Sequence, residues 1–260
     1  METNYEGKDL KATVLRIERS SIHDGEGYRT VVFLKGCPLR CAWCSTPESQ
    51  SFEPEATSEN VYGAAMTVEQ VMKEVRKDLL FYFHSGGGMT LSGGEALAQP
   101  EFTRCLLRQA RREGVDTAVE TSLHAPWKVV ESVLPSLNTM FADIKLIDPE
   151  KHRKYCRVSN ELILDNLIST NGYSGRLRLV VRVPIIPGIN DSDEELRSVG
   201  RFCAGLKHLD HVQLLPYHRL GTATYKKLGR PYELESLQPP SAEHMESCRA
   251  VLSGYVDRVR

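Results

Sequence analysis

The hydrophobic positions of the chain recur with two periods, one typical of strands and one typical of helices. Apolar runs predict strands at residues 13–19, 29–35, 115–121, 139–145, 177–184 and 211–216, with a short strand before residue 93. Apolar residues spaced three and four apart predict helices at 67–76, 101–113, 126–134, 149–156, 161–171, 191–206 and 241–252. Because strands and helices alternate, we predict parallel strands joined by right-handed crossovers.

Six of these strands follow the alternation, which predicts an α/β fold built as a partial (β/α)6 barrel rather than a closed eight-stranded one. We expect one domain over residues 1–260, with a core at about 12–235 and a C-terminal helix at about 241–252. The strand at 29–35 is apolar throughout, as are strands buried on both faces of a parallel sheet. The open side of such a barrel would receive a macromolecule.

Three cysteines follow that strand within the segment Gly36–Cys44, called here the cysteine loop. Cys37, Cys41 and Cys44 have the spacing C-x3-C-x2-C, with Trp43 before the third. Three thiolates can hold three irons of a [4Fe–4S] cube and leave the fourth iron open. A zinc loop with a distant fourth ligand and three incidental thiols are the alternatives. The cluster is favoured over zinc because no second C-x-x-C pair lies downstream.

A second candidate motif is Gly93-Gly94-Glu95, called here the glycine turn. Glycines let a ligand approach the backbone closely, and the exposed backbone groups with an acid suit an ammonium ion. By itself such a tripeptide more often marks an ordinary turn. Its occurrence downstream of a cysteine triad makes the combination informative.

Charged and polar side chains collect where the predicted strands end. Each one taken singly is more often a solvated loop residue, and a lone histidine is more often structural. Several strand ends that face one mouth predict a binding site, because parallel α/β sheets keep their sites at the carboxyl ends of strands. These residues are Glu120, Thr121, Asp143, Lys145, Arg182 and His218.

Composition narrows the classes of protein. The formal net charge is −1, which gives no support for a nucleic-acid surface. No run of 18 apolar residues and no signal-peptide pattern occurs, so we expect neither a membrane partner nor secretion. Seven cysteines then indicate a reducing cytoplasm. Four of them have no paired spacing and receive no function: Cys105, Cys156, Cys203 and Cys248.

The cysteine loop and the glycine turn together resemble the radical S-adenosylmethionine (radical SAM) enzymes. Within that superfamily the chain resembles the activating enzymes of glycyl radical enzymes, of the pyruvate formate-lyase activating type, over about residues 12–235. The resemblance implies one [4Fe–4S] cluster, S-adenosylmethionine, a glycyl radical enzyme as protein substrate, and a flavodoxin or ferredoxin-type reductant. Reductive cleavage of S-adenosylmethionine then yields a 5′-deoxyadenosyl radical that removes a hydrogen from a glycine Cα. A radical SAM enzyme acting on a small molecule and a non-catalytic metal protein are the alternatives.

The same resemblance assigns roles to residues of this sequence. Cofactor contacts fall on Trp43, Ser45, Gly93, Gly94, Glu95, Asp143, Ile144, Lys145, Arg182 and His218. The glycine turn matches the element that holds the methionine amino group. Asp143-Ile144-Lys145 matches a segment that contacts ribose and carboxylate, and His218 lies at the adenine. Glu120 and Thr121 match a pair that, with Asp143, is associated with a monovalent cation, although Glu120 stands where the family has Asp.

Two further segments concern the partner and the number of clusters. The turn Asp24-Gly25-Glu26-Gly27 resembles a peptide-receiving Asp-Gly-Pro-Gly turn, so Asp24, Gly25 and Gly27 are candidates for the partner peptide. We expect this turn beside the cysteine loop; the alternative is that it is only a hairpin loop. Larger relatives insert a ferredoxin-like segment after the cysteine motif. Residues 45–104 contain no cysteine, and 51–64 has the composition of a polar linker, so a single cluster is predicted.

Overall fold

The computed structural model describes residues 5–260. Its strands are β1 Lys11–Ser21, β2 Arg29–Leu34, β3 Glu55–Ala56, β4 Val61–Tyr62, β5 Ala64–Thr67, β6 Gly88–Gly93, β7 Asp116–Thr121, β8 Thr139–Asp143, β9 Arg178–Ile185 and β10 Leu209–Pro216. Its α-helices are α1 Val68–Val75, α2 Leu79–Ser85, α3 Pro100–Arg112, α4 Trp127–Val133, α5 Pro149–Cys156, α6 Glu161–Ser169, α7 Asp193–Cys203, α8 Thr222–Lys227 and α9 Ala242–Ser253. The predicted alternation of strands and helices is therefore confirmed.

The chain packs as two compact units, each built from several segments. The first unit comprises the chain up to Cys37, Glu48–Thr121 and Lys128–Met140. The second unit comprises Pro38–Pro47, Ser122–Trp127 and Phe141–Arg260. The expectation of a single domain remains a prediction.

The first unit is organised around strand β2. It pairs in parallel with β6, which pairs in parallel with β7, while β1 runs antiparallel to both β2 and β5. Leu34 lies opposite Gly93, so Cys37 and the glycine turn follow neighbouring strand ends. The apolar run in β2 is buried, as its composition predicted.

Two parts of the first unit differ from the sequence-based expectation. The predicted linker over 51–64 contains β3 and β4 and reaches the first residue of β5, whose partner is β1. The unpredicted helix α2 follows α1 after one 3-10 turn at Arg76–Asp78, and its Phe83 is 84% exposed. Helix α1 begins as expected, because Thr67 and Gln70 form a reciprocal capping box at its first turn.

The turn at Asp24–Gly27 lies at the opposite end of β2 from the cysteine loop. Ser21 of β1 is paired with Arg29, the first residue of β2, whereas Cys37 follows the last one. A strand of six residues separates the two segments, or roughly 20 Å at about 3.3 Å per residue. The expectation that the turn adjoins the cysteine loop is therefore wrong, because an antiparallel hairpin places its loop where the following parallel strand begins.

The second unit contains the parallel pair β9 and β10 with helices α5 to α9. The last residues of the chain bind the side of β10: Val212 N–H donates to Arg258 O at 3.0 Å, and Leu214 N–H donates to Arg260 O at 2.8 Å. Helix α5 starts at the N-cap Asp148, whose carboxylate accepts from two backbone N–H groups. Within the described residues, no helix is long and apolar enough to cross a membrane.

Candidate active site

The first unit fixes the beginning of the cysteine loop through backbone hydrogen bonds. Gly36 N–H donates to Ser49 O at 2.8 Å, and Cys37 N–H donates to Gln50 O at 3.2 Å. Gly36 has φ +94°, a conformation that residues with a side chain rarely adopt. The chain therefore turns sharply out of β2 and presents Cys37 immediately afterwards.

The second unit fixes the rest of the loop against the end of helix α5. Arg40 N–H donates to Cys156 O at 2.9 Å, and Ala42 N–H donates to Tyr155 O at 2.8 Å. The last carbonyls of a helix have no partner inside the helix, so the loop satisfies groups that would otherwise need water. The backbone N–H groups of the two residues next to Cys41 are held in this way.

The thiol chemistry of the loop fits iron ligation. A hydrogen bond from the Cys156 side chain, together with the nearby charge of Lys145, lowers the pKa of the Cys41 thiol despite its burial. A lowered pKa favours the thiolate, which is the form that binds metals. None of the seven cysteines in residues 5–260 forms a disulfide.

The ligand side chains are not gathered into an ion-binding group in this structure. Among the described residues, no three His, Cys, Asp or Glu side chains form a set that could hold a metal ion. Cys37, Cys41 and Cys44 are each partly buried on the same nine-residue loop. Their role as cluster ligands therefore rests on donor chemistry and spacing, and it remains a prediction.

The glycine turn is built by close approach of backbone segments within the first unit. Gly94 N–H donates to Leu34 O at 2.9 Å, and Glu95 N–H donates to Gly36 O at 2.8 Å. A Cβ atom on Gly94 would lie 2.5 Å from Gly36 O and 2.7 Å from Ser49 O. Only glycine fits this position, because those distances are shorter than any real carbon–oxygen contact.

The carboxylate of Glu95 points into the first unit and is 1% exposed. Its Oε1 accepts from Leu97 N–H at 3.0 Å and from the Thr121 hydroxyl at 2.5 Å. In the same unit Ser92 donates its hydroxyl to Glu120 Oε2 at 2.6 Å. Glu95 thus positions the turn, and a contact between this turn and an ammonium group remains a prediction.

The segment Asp143–Lys145, called here the charged segment, leaves β8 in the second unit. Lys145 Nζ donates to Asp143 Oδ2 at 2.8 Å. Burial alone would lower the pKa of Lys145, but the charges of Asp143 and Cys41 outweigh it and raise that pKa above its usual range. Ile144 N–H donates to Arg182 O at 2.9 Å, and the Asn190 amide donates to Lys145 O at 2.8 Å. Lys145 is therefore a fixed cation at the end of a strand.

The remaining predicted cofactor residues of the second unit differ in exposure. Trp43 is buried, with its ring 6.4 Å from that of Tyr155, whereas Ser45 and His218 are exposed. The guanidinium of Arg182 stacks 4.0 Å over Phe141 and donates to Gln213 at 3.0 Å. These contacts fix the position of the Arg182 side chain. The contact with adenine that is expected of Trp43, Ser45 and His218 remains a prediction.

The sequence analysis missed two residues that support these segments. Asn190 binds both Lys145 O and Pro184 O, and Cys156 supports Cys41. Asn190 gave no motif signal because it lies in a loop far from the charged segment in sequence. Cys156 gave none because cysteine spacing reports only on neighbours along the chain.

Residues 31–199, well over half of the chain, match the sequence pattern of the Radical SAM superfamily. The chain belongs to that superfamily, among the activating enzymes of glycyl radical enzymes. As a radical SAM enzyme it has the predicted α/β fold class, including the strand and helix order expected for a partial (β/α)6 barrel. The superfamily implies a [4Fe–4S] cluster and S-adenosylmethionine.

Individual relatives align with this activating enzyme over most of its length. The isethionate sulfite-lyase activating enzyme of Oleidesulfovibrio alaskensis is 40% identical over 281 aligned positions, covering 88% of this chain and 90% of the relative. The (2S)-3-sulfopropanediol sulfolyase activating enzyme of Bilophila wadsworthia is 35% identical and covers 93% of this chain and 96% of the relative. A crystal structure of a domain of pyruvate-formate lyase-activating enzyme from Bacteroides vulgatus is 30% identical with a TM-score of 0.56, covering 67% of this chain and 98% of that domain.

Proposed function

We propose that this radical SAM enzyme generates a glycyl radical on a partner enzyme of the class that cleaves or dehydrates small polar metabolites. The observation that carries the proposal is the 40% identity, over 88% of the chain, to an activating enzyme named for a sulfite-lyase. Other relatives are named for a sulfolyase and a dehydratase. The chemistry supplied by the bound cofactors is one-electron cleavage of S-adenosylmethionine, whose adenosyl fragment takes a hydrogen atom from a glycine Cα.

The cysteine loop provides the three thiolates for one cluster. The 281 aligned positions of the Oleidesulfovibrio relative exceed the 260 residues of this chain, so that relative carries residues that the chain lacks. This difference supports the expectation of a single cluster without a ferredoxin-like insert. The lowered pKa of Cys41 supports its role as a ligand.

The cofactor residues divide by what they offer a ligand. Backbone oxygens of the glycine turn accept from the methionine ammonium, and Lys145 donates to its carboxylate. Asp143 and Ile144 contact the ribose, and Trp43, Ser45 and His218 surround the adenine. Arg182 supports the charged segment. A monovalent cation at Glu120, Thr121 and Asp143 remains a prediction.

The partner and the setting complete the proposal. Asp24, Gly25 and Gly27 contact the partner peptide from the end where the parallel strands begin. A flavodoxin or ferredoxin-type protein supplies electrons, and the enzyme works in the cytoplasm. Each of these statements extends the sequence resemblance to the whole reaction.

The first test is iron content and radical formation under anaerobic conditions. We expect four irons per chain, in line with a single cube. Alanine at Cys37, Cys41 or Cys44 should abolish the cluster, whereas the control Cys203→Ala should keep it. With reductant and S-adenosylmethionine, a glycyl radical signal in electron paramagnetic resonance should appear on a candidate partner. Turnover of a small metabolite in step with 5′-deoxyadenosine, without any glycyl radical on the candidates, would show that the enzyme acts on small molecules instead.

A further inference from the structure

The chain that follows strand β10 packs against the end of the cysteine loop. Residues 217–233, called here the brace, include helix α8. A Cβ atom on Gly221 would lie 2.8 Å from Cys44 O and 2.8 Å from Ser45 O. The brace therefore touches the backbone of the third cysteine and of the residue after it, at a position where a side chain would have to displace the loop.

A second contact of the brace reaches the same segment of the chain. Arg230 donates from Nη1 to Pro47 O at 2.8 Å. A hydrogen bond with a charged donor is stronger than one between neutral groups. Gly221 precedes helix α8 and Arg230 follows it. The brace thus restrains the chain at Cys44 and again at Pro47, on either side of its own helix.

The brace is itself anchored by aromatic side chains of the second unit. Tyr217 is 3% exposed, and its hydroxyl oxygen lies 2.8 Å from that of Tyr232. The ring of Tyr232 packs edge-on against that of Tyr225, with the two centroids 5.0 Å apart. An ion pair between Arg157 and Glu233 adds a contact at the end of α5, but both side chains are about half exposed. The buried rings therefore give the brace a fixed position from which to hold the loop.

We propose that Arg230 is a positioning residue that fixes the chain after Cys44 and thereby slows the loss of iron from the cluster. This inference rests on the proposed function, which makes Cys44 a cluster ligand. Backbone bonds from the first unit hold the start of the loop and helix α5 holds its middle, whereas the brace holds its end. A ligand dissociates more easily where its backbone can move, so local opening of the brace should release the Cys44 side of the cluster first.

The experiment measures how fast the reconstituted holoprotein releases iron to a ferrous chelator under anaerobic conditions. Arg230→Met keeps an unbranched apolar stem and removes the donors. It should assemble a full cluster but release iron about tenfold faster, the effect of one lost hydrogen bond to a charged group. Arg230→Lys retains a charged donor and should stay within about threefold of the wild type. Arg157→Met is the matched control, because it removes only an exposed ion pair from the same brace, and it should release iron at the wild-type rate.

Amide hydrogen exchange of the same holoproteins separates positioning from a general loss of stability. In Arg230→Met, exchange should become faster at residues 38–47 and 217–233 and stay unchanged in strands β9 and β10. Exchange that rises equally throughout the second unit would show that Arg230 only stabilises the fold, and the inference would be wrong.

The remaining outcomes distinguish this inference from the proposed function. Equal rates of iron release in Arg230→Met and the wild type overturn the inference alone. If Arg230→Met does not assemble a cluster, Gly221→Ala provides the comparison with Gly172→Ala, whose Cβ has no heavy atom within 4 Å. Gly221→Ala should release iron faster, because its methyl group pushes the brace away from Cys44 O, and equal rates in that pair also overturn the inference. Full iron retention in Cys44→Ala overturns the proposed function itself.

Discussion

The glycine turn of the first unit and the charged segment of the second unit are held in place by different means. In the turn, backbone atoms of three chain segments touch, and a Cβ atom on Gly94 would lie 2.5 Å from Gly36 O. In the charged segment, Lys145 and Asp143 pair through side chains that keep partial contact with solvent, with 14% and 30% exposed. The first arrangement depends on shape and the second depends on charge.

This difference teaches that the two segments can be tested by different measurements. A position defined by backbone contact cannot accept even a methyl group, so its substitution should reduce the stability of the protein. A position defined by a charged side chain can lose that charge while the fold remains. Folding stability should therefore report on the turn, and ligand affinity should report on the charged segment.

The largest expected effect is on stability at the turn. Gly94→Ala should lower the free energy of unfolding by about 3 kcal/mol, the upper end for an overpacked site, because the new methyl group meets backbone oxygens that cannot move independently. Urea unfolding under anaerobic conditions measures this free energy. The control Gly172→Ala places its Cβ where no heavy atom lies within 4 Å and should change stability little. Equal unfolding midpoints for both variants would contradict the backbone account of the turn.

The next effect is on affinity at the charged segment. Lys145→Ala should weaken S-adenosylmethionine binding by about 1.5–3 kcal/mol, the range for a charge-assisted hydrogen bond, while iron content stays at the wild-type level. Isothermal titration of the holoprotein measures the affinity. Lys151→Ala, an exposed lysine on α5, is the matched control and should bind normally. If Lys145→Ala binds as tightly as the control, the charge of this segment has no part in recognition.

The smallest expected effect is a loss of folding stability at acid pH, and it arises from a histidine of the second unit. Burial lowers the pKa of His152, whose Nε2 is enclosed without a hydrogen-bond partner among the described residues. Above the pKa of about 6.5 that the His152 ring has in the unfolded protein, the ring is neutral in both states and burial carries no penalty. As the pH falls below that value, the unfolded protein takes up a proton more readily and the folded protein loses stability. Between about pH 7 and pH 5.5 we expect a loss of roughly 1 kcal/mol that is smaller in His152→Asn. His211 is shifted in the same direction by burial and leaves a residual dependence.

That acid effect is measured as the urea midpoint at the two pH values. Wild-type protein and His152→Asn with identical pH dependence would show that the ring does not titrate differently in the folded and unfolded states. A larger dependence in the variant would reverse the sign of the argument.

Sequence patterns predicted the regular elements better than the supporting contacts. Helix α5 has the predicted bounds 149–156, and α1 has the predicted cap, because both signals lie within a few neighbouring residues. Strand β5 was missed because its four residues carry no clear pattern and its partner β1 lies about fifty residues earlier in the chain.

The sequence predicted the motifs of the candidate site but not the contacts that support them. The cysteine loop and the glycine turn stand out because their spacing is local. The internal bonds of Glu95 and the contact of Cys156 with Cys41 depend on which segments pack together, which no local pattern encodes. The turn at Asp24–Gly27 was placed wrongly for the same reason, since its position depends on how β1 pairs with β2.

The last residues of the chain have a consequence for solubility. Arg258 and Arg260 occupy hydrogen-bonding groups on the side of β10, and Arg260 N–H returns a bond to Val212 O at 2.9 Å. An uncovered strand edge is a template on which another chain can pair, and natural proteins protect such edges with charged or short segments. A protein that lacked residues 258–260 would leave the backbone N–H groups of Val212 and Leu214 without these partners. Its tendency to aggregate would then rise before its fold was lost.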